Sequence, residues 1–563
     1  MLKIKVGTEY LDMGNFSVSF ELLSPVFNDI GSFSYPFTLP ATAKNKHVLG
    51  FPAKVNYSNF TTQKVAVELY LKGLFWKRGN LVVTEANKDS IRANFTVSEG
   101  YFYSTIKDLK LADLDLGGER WHFDYETAPF SPFNAIFDKS YPEIDFILFP
   151  VLWPEFYGDT AKGTLLNNTF FSYVNWFNHE FPFYGEEGNT LVLFPFLNYV
   201  MKQAFARLNI NPAKNIFTQD QYLRQLVLFN HISCNVWTVE EEGVTPVTNT
   251  EHRFSLNNYV PDLTVSELFD FLNKIFKSIV FYNDFSGDIS IILLRDILQS
   301  NDIIGLDAPF KMNYLKLNEY DGFTMSYVID SSDKSAEQYF KDISKFNFKG
   351  ELSSLADLPD SNNLLFDLYF IRDIHKYYYY NVTYSLGGDI GEFVEYSDDL
   401  LTITEGNGDF EFEIPGVFAK SSRRQICGND GAFQEYEVPL VFPDKPEPRL
   451  MFWHGMQPNF GTTDKPFGSA FNILPLQQTV ISPYSLEWEG EYGIKENFHK
   501  EFLEFKKTTR EAEISMIIKA SELKNIDFSR KYRFAEANWL LSSIKFTVTN
   551  DKISPAIIIA YKV

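Results

Sequence analysis

Cysteine is nearly absent. Cys234 and Cys427 are the only two in 563 residues, they lie far apart, and neither stands in a CxxC or Cys/His cluster. A disulfide framework and a structural zinc site are therefore unsupported, and two buried free thiols are expected, with one long-range disulfide as the alternative. Histidine is equally sparse: His47, His122, His179, His231, His252, His375, His454 and His499 are scattered, with no pair spaced to share a helix face. Any metal centre would have to be assembled from distant segments. No nucleophile elbow, P-loop, HExxH, EF-hand loop or glycine-rich dinucleotide motif occurs. The sequence accordingly singles out no catalytic, cofactor-binding or metal-binding residue and no cofactor, and an enzyme is not expected.

Long apolar runs are missing too. The richest stretch, residues 191–200, is broken by Pro195 and Asn198, well short of the roughly 18 residues of a membrane span. The N-terminal Met1-Leu-Lys-Ile-Lys-Val6 alternates like a strand and lacks the apolar core of a signal peptide. Synthesis in a cytoplasm and no stable membrane insertion are expected. Basic residues are in deficit, 51 Lys+Arg against 73 Asp+Glu for a net charge of −22, so a surface that grips nucleic acid is not the default.

Aromatics are abundant. Phe, Tyr and Trp make up 17% of the chain, with 56 Phe and 31 Tyr but 8 Met, a bias towards pleated, half-buried surfaces. The length favours several domains. The fold class expected is α+β, mainly β and multidomain, with antiparallel β-barrel-like domains at both ends and a helix-plus-hairpin central region.

Near the N-terminus the period is two. Phe16, Val18, Phe20 and Leu22 alternate with polar residues, as do Phe33, Tyr35, Phe37 and Leu39, and further strands are expected over residues 65–71, 74–84 and 91–97, with a turn at Arg78-Gly79-Asn80. Pro36 marks its strand as an edge or a bulge. Residues 101–212 are rich in Pro, Gly and aromatics, a loop-heavy insertion holding one helix over 196–208 that Asn211-Pro212 stops. A second helix begins after Pro261, where Thr264-Val-Ser-Glu267 is a capping box and Leu268, Leu272, Ile275, Phe276 and Ile279 form one apolar stripe. A hairpin over residues 279–294 follows. Beyond Asn313 alternation returns at 320–329, 364–371, 377–384 and 410–414, around a polar boundary at 330–363. The last block reads as strands over 511–518, 533–541, 543–548 and 556–561, the final one apolar enough to be well buried. Residues 109–116 and 520–528 share a pattern of leucine, acid, apolar residue and aspartate, a candidate mark of duplication.

Carboxylates are plentiful, but Glu240-Glu-Glu242 and Glu186-Glu187 read as solvated loops rather than an acid/base pair, and Asp113-Leu-Asp115 as a polar edge rather than a cation site. The run Tyr377 to Tyr380 in a strand puts two rings on each face, core on one side and surface or interface on the other. Arg423-Arg424 could touch phosphate, though a salt bridge is the favoured use in so acidic a chain.

Three patches carry a resemblance. The run Ser32-Phe-Ser-Tyr-Pro-Phe-Thr-Leu-Pro-Ala-Thr-Ala-Lys-Asn45, with Leu49-Gly50, Gly73 and Gly79, resembles the opening of tail-tip or baseplate-hub proteins of phages and prophages of Bacteroidetes. Pro261-Asp-Leu-Thr-Val-Ser-Glu-Leu-Phe-Asp-Phe-Leu272 and the hairpin after it are similar to the middle of those hubs, and Glu487-Trp-Glu-Gly490 through Lys531-Tyr532 to Val563 to their closing β-domain. The resemblance implies a non-enzymatic virion tail component, a homotrimer whose two β-domains per chain adapt a hexameric tube to a three-fold tip around a DNA ejection channel. It implies as partners the chain itself, tail-tube or distal tail proteins, tip or fibre proteins, and DNA that passes without sequence-specific binding. The expected segments are an N-terminal β-barrel-like tube domain at 1–100, the insertion at 101–260, the helix-plus-hairpin unit at 261–330, a β-rich middle domain at 331–480 and the C-terminal β domain at 481–563. The alternatives are a host glycan- or receptor-binding tail protein and a polysaccharide or cell-wall hydrolase.

Overall fold

The computed structural model describes residues 2–28, 31–53, 64–97, 99–121, 136–152, 173–175, 192–230, 232, 235–238, 247–250, 253–306, 308–316, 322–327, 347–359, 367–371, 376–383, 390–396, 402–406, 410–414, 448–457, 464–470, 472–474, 479–486, 490–550 and 552–563. Its dominant feature is a single 14-stranded sheet built from both ends of the chain. The mainly β, α+β class expected from the sequence is the class observed.

The N-terminal part of this sheet is a unit of fixed order. Strand Ser17–Leu23 pairs with Phe33–Ser34, which with its continuation Phe37–Pro40 pairs with Ser90–Val97; that strand pairs with Leu74–Ala86, and Leu74–Ala86 with Lys64–Leu71, all antiparallel. The short helix Ala43–Val48 sits between the second and third strands in sequence. Pro36 acts as expected: the strand breaks at Tyr35-Pro36, and among the described residues Phe37–Pro40 beyond it has a strand partner on one side only.

The turn expected at Arg78-Gly79-Asn80 is not there. Leu74–Ala86 runs unbroken for 13 residues, and the chain reverses instead at Lys72-Gly73, both at positive φ (51° and 84°), the geometry of a type I′ hairpin. Gly79 serves the strand differently. A Cβ there would overlap the carbonyl oxygen of Thr96 and lie 2.8 Å from Cγ1 of Val97, so glycine marks a close backbone approach. Gly79→Ala is expected to destabilise the sheet by about 1–3 kcal/mol through overpacking, read as a lowered urea midpoint.

The C-terminal part repeats the same order. Phe310–Lys316 pairs with Glu511–Met516, that strand with Ala556–Lys562, Ala556–Lys562 with Ala537–Thr549, and Ala537–Thr549 with Lys531–Phe534, again all antiparallel. Helix Ala520–Lys524 lies between the second and third strands, and the fourth strand again has 13 residues. Its hairpin is also a two-residue turn, Ala535-Glu536 at φ 48° and 59°. The strand expected over 533–541 is therefore split at that turn, and the break expected between 541 and 543 is only a bulge inside a continuous strand. The terminal strand alternates buried and accessible residues, with Ile557 exposed. It is half-buried rather than well buried because the sheet covers one face.

The repeat does not fall where the leucine–acid pattern pointed. Helix Ala520–Lys524 corresponds in position to Ala43–Val48, whereas residues 109–116 lie outside both units: Leu111 donates its amide to the Leu263 carbonyl at 2.8 Å, and Val265 to Leu109 at 2.8 Å.

Between the units lies a second core. Helix Leu197–Leu208 ends at Asn209, whose left-handed φ of 53° forms the C-cap, two residues before the expected stop; Pro212 instead opens the strand Pro212–Asn215. Helix Val265–Phe276 carries the expected capping box, with Thr264 N donating to Glu267 Oε2 at 2.7 Å and Glu267 N to Thr264 Oγ1 at 3.2 Å. Lys277 at φ 51° ends it, so Ile279 belongs to the strand Ser278–Tyr282 and not to the helical stripe. That strand pairs with Ile289–Leu293 and is buried along its whole length. Ile279 and Phe281 enter the core of the large sheet, while Val280 and Tyr282 enter the core of the helices.

The excursion between Phe310–Lys316 and Glu511–Met516 holds smaller sheets, among them Gly322–Tyr327 with Thr402–Gly406 and Phe410–Ile414, and a four-stranded sheet in which Lys376–Thr383 lies between Asp367–Ile371 and Ile390–Tyr396. Within the polar boundary expected over 330–363, residues Asn347–Leu352 form a strand of that sheet.

Candidate functional site

The two units are joined edge to edge. Ser17–Leu23 pairs with Ala537–Thr549 over seven residues, from Ser17 opposite Thr549 to Leu23 opposite Ser543. The inner face of this seam is wholly apolar: Val18, Phe20, Leu22, Ile544, Phe546 and Val548 are all buried. Phe20 is its hub, edge-on to Trp76 at 4.9 Å and stacked on Phe546 at 5.8 Å and Phe95 at 6.0 Å, contacts that add to area burial.

Polar groups fasten the outer face. The hydroxyls of Ser19 and Thr547 lie 2.8 Å apart, Tyr35 OH donates to Glu21 Oε2 at 2.5 Å, and Lys545 donates to Tyr35 OH at 3.1 Å. At one end Asn550 Oδ1 accepts from Phe16 N at 3.2 Å; at the other Ser24 N donates to the Ser542 carbonyl at 2.9 Å. Trp76 Nε1 reaches across to the Leu523 carbonyl at 3.4 Å, fixing the long strand of the first unit to the helix of the second.

The far margin of the same sheet is Phe310–Lys316, whose pairing partner among the described residues is Glu511–Met516 alone. Phe310, Met312 and Leu315 stand directly opposite Met516, Ile514 and Ala512, and directly opposed residues share a face. The latter three are buried. Phe310, Met312 and Leu315, on that same core face, are 39%, 38% and 41% exposed. Their counterparts in the first unit, Val18, Phe20 and Leu22, are each 0% exposed under the seam. On the opposite face Tyr314 OH donates to Glu511 Oε1 and Tyr561 OH to Glu511 Oε2, both at 2.9 Å. The first bond holds Tyr314 up to about 12, and burial does the same for Tyr561. Both phenols remain neutral donors throughout the physiological range.

A cleft of about 470 Å³ opens where the long strand of the first unit, the 282–290 turn and the loop after Ala520–Lys524 converge. Lys77 Nζ bonds Asp284 Oδ2 at 2.7 Å within it, Arg78 N donates to Asp284 Oδ1 at 3.1 Å, and Lys524 lies over the exposed Phe285 ring at 5.4 Å. These charges tie the hairpin to the sheet.

The sequence candidates do not converge. His47 lies by Phe51, His454 between Phe452 and Phe467, and His499 is buried; among the described residues no group of three His, Cys, Asp or Glu side chains is placed to hold a metal. Asp115 accepts from the Gly117 amide at 3.1 Å, a turn-forming role. The tyrosine run is in the inner strand Lys376–Thr383. Cys234, Cys427, Arg423, Arg424, Glu186, Glu187, the glutamates at 240–242, His122, His179, His231, His252 and His375 lie outside the described residues. The seam and the uncovered margin were missed at the sequence level; the alternation of Phe310 and Met312 signals a strand, but the bulge before Tyr314 puts Leu315 on their face instead, and the pattern does not tell a covered face from an uncovered one. Among the described residues no helix is long and apolar enough to cross a membrane.

No family model matches the chain, and no curated protein matches it in sequence. Among solved structures it is similar to the 43 kDa tail protein of prophage MuSo2 from Shewanella oneidensis, at 9% identity and TM-score 0.32, over 100% of this chain and 98% of that one. It is also similar to a tail protein from Neisseria meningitidis MC58, at 6% identity and TM-score 0.33, over 100% of this chain and 96% of that one.

Proposed function

We propose that this chain is a structural protein of a phage tail, the hub at the tail tip or baseplate, and acts as a homotrimer that adapts the tail tube to a three-fold tip and lines part of the channel through which DNA leaves. The observation that carries this reading is the repeated unit. One chain presents two copies of the same strand order in one continuous sheet, so three chains present six like elements around an axis. A subunit with a repeat of this kind can meet a six-fold ring on one side and a three-fold body on the other. The resemblance of residues 32–45, 261–272 and 487–563 to phage hubs points the same way. Tube or distal tail proteins and tip or fibre proteins are its proposed neighbours.

The test is stoichiometry. Light scattering on the purified chain and copy counting in isolated tails are expected to give three; a chain that stays monomeric at high concentration and is missing from tails would overturn the reading. The charge of −22 makes a second expectation. Duplex DNA should run unretarded by the protein in a gel-shift assay near 0.15 M salt, because phosphate binding is driven by basic contacts that release counterions. Saturable retardation would argue against a channel that merely lets DNA pass.

A further inference from the structure

The two units differ in one respect that matters: the first strand of unit one is covered and, among the described residues, the first strand of unit two is not. In unit one, Ser17–Leu23 is covered by Ser543 to Thr549, the end of the long strand of unit two. Each unit has its own such strand, and in unit one it is Leu74–Ala86. On the side of that strand away from Ser90–Val97, Lys64–Leu71 pairs as far as Val82. Among the described residues this leaves Val83 to Ala86 without a strand on that side, with Thr84 and Glu85 exposed. Among the described residues the molecule thus carries an uncovered first strand at Phe310–Lys316 and, at the opposite part of the sheet, the end of a long strand of the kind that covers such an edge.

We infer that the Phe310–Lys316 edge is the docking site for a second copy of this chain, which supplies the Val83 to Ala86 end of its Leu74–Ala86 strand. The inference deepens the self-assembling reading above and rests on it. The occupant follows from the repeat: the internal seam already shows which strand end fits this edge. Matching buried faces sets the register. Val18 and Phe20 meet Val548 and Phe546 in the internal seam; the corresponding core-facing residues put Phe310 opposite Ala86 and Met312 opposite Val83. Both strands carry a bulge next to these residues, between Met312 and Tyr314 and between Val83 and Glu85. Pairing of this kind buries an apolar margin that would otherwise invite indiscriminate edge association. On the outer face Lys311 falls opposite Glu85, a pair of opposite charge.

The register makes a direct test. Lys311→Cys and Glu85→Cys, both at exposed positions, are combined in one chain and oxidised, with each single variant as the control for Cys234 and Cys427. Paired strands hold opposed Cα atoms within about 4.5–5.5 Å, inside disulfide range. The double variant is expected to give covalent species of two and three chains on a non-reducing gel that neither single variant gives. Met312→Lys in the otherwise native chain is expected to raise the concentration at which the oligomer half-dissociates by about tenfold or more, because it places a charge in the covered face. An oligomer that forms without these crosslinks and is indifferent to Met312→Lys overturns the seam while leaving self-assembly standing. A chain that stays monomeric overturns both; protection of the 310–316 amides from exchange in that monomer would mean that the chain covers its own edge.

Discussion

Phe20→Ala is expected to lower the unfolding free energy of the isolated chain by about 3–5 kcal/mol, the cost of a large aromatic removed from a closed core. The magnitude follows from where Phe20 sits. It is 0% exposed and touches Trp76 and Phe95 from its own unit and Phe546 from the other, so the cavity opens at the join and loosens both sides. The matched control is Met312→Ala, at the corresponding position of the second unit and 38% exposed, for which the loss should stay below about 1 kcal/mol in the monomer. The shift of the urea midpoint, followed by near-ultraviolet dichroism, measures both. Equal losses would mean that Met312 is as enclosed as Phe20, and that the uncovered margin is not uncovered in solution.

Acid should weaken the fold through His499. This imidazole is 0% exposed and donates from Nε2 to the carbonyl of Ile275 at 2.9 Å, satisfying one of the acceptors left at the end of helix Val265–Phe276. Burial, with a smaller contribution from the charge of Lys277, pushes its pKa down to about 3. In the unfolded chain the ring titrates near 6.5. Between those values the unfolded state binds the proton and the folded state does not, so stability rises with pH across this window and is lost on acidification from about 6.5 towards 3. The full loss attributable to this group is about 4–5 kcal/mol. His499→Gln keeps a donor for Ile275 and removes the titration. Its unfolding free energy should vary less steeply with pH between 6 and 4 than that of the native chain, and identical slopes would assign the acid sensitivity to other groups.

What could be read from the residues divides by the range of the interaction that decides each element. The capping box at Thr264 and Glu267 was legible because both partners lie within four positions, and the strand alternation around Phe20 because it reports burial on one face. The Arg78-Gly79-Asn80 turn was misread because glycine has two uses: at Gly73 it takes up positive φ, whereas at Gly79 it makes room for the Thr96 carbonyl, and that neighbour is invisible without the fold. Ala535-Glu536 escaped notice for the converse reason, since neither residue is typical of a type I′ turn. The join of Ser17–Leu23 to Ala537–Thr549 links residues more than 500 positions apart; alternation shows that each strand has a buried face but not which strand shares it. The margin at Phe310–Lys316 was obscured likewise, because exposed apolar residues there have the same pattern as covered ones.

The strand Ser278–Tyr282 gives the molecule a property that neither core has alone. With Ile279 and Phe281 on one side and Val280 and Tyr282 on the other, it is a party wall, its two surfaces belonging to different rooms. A load applied to the helical body is passed to the sheet through this shared strand, because its alternate side chains are packed into both cores. Heat should likewise melt the two together, in one calorimetric peak, and a pull on the sheet should reach the helices as shear rather than as slack.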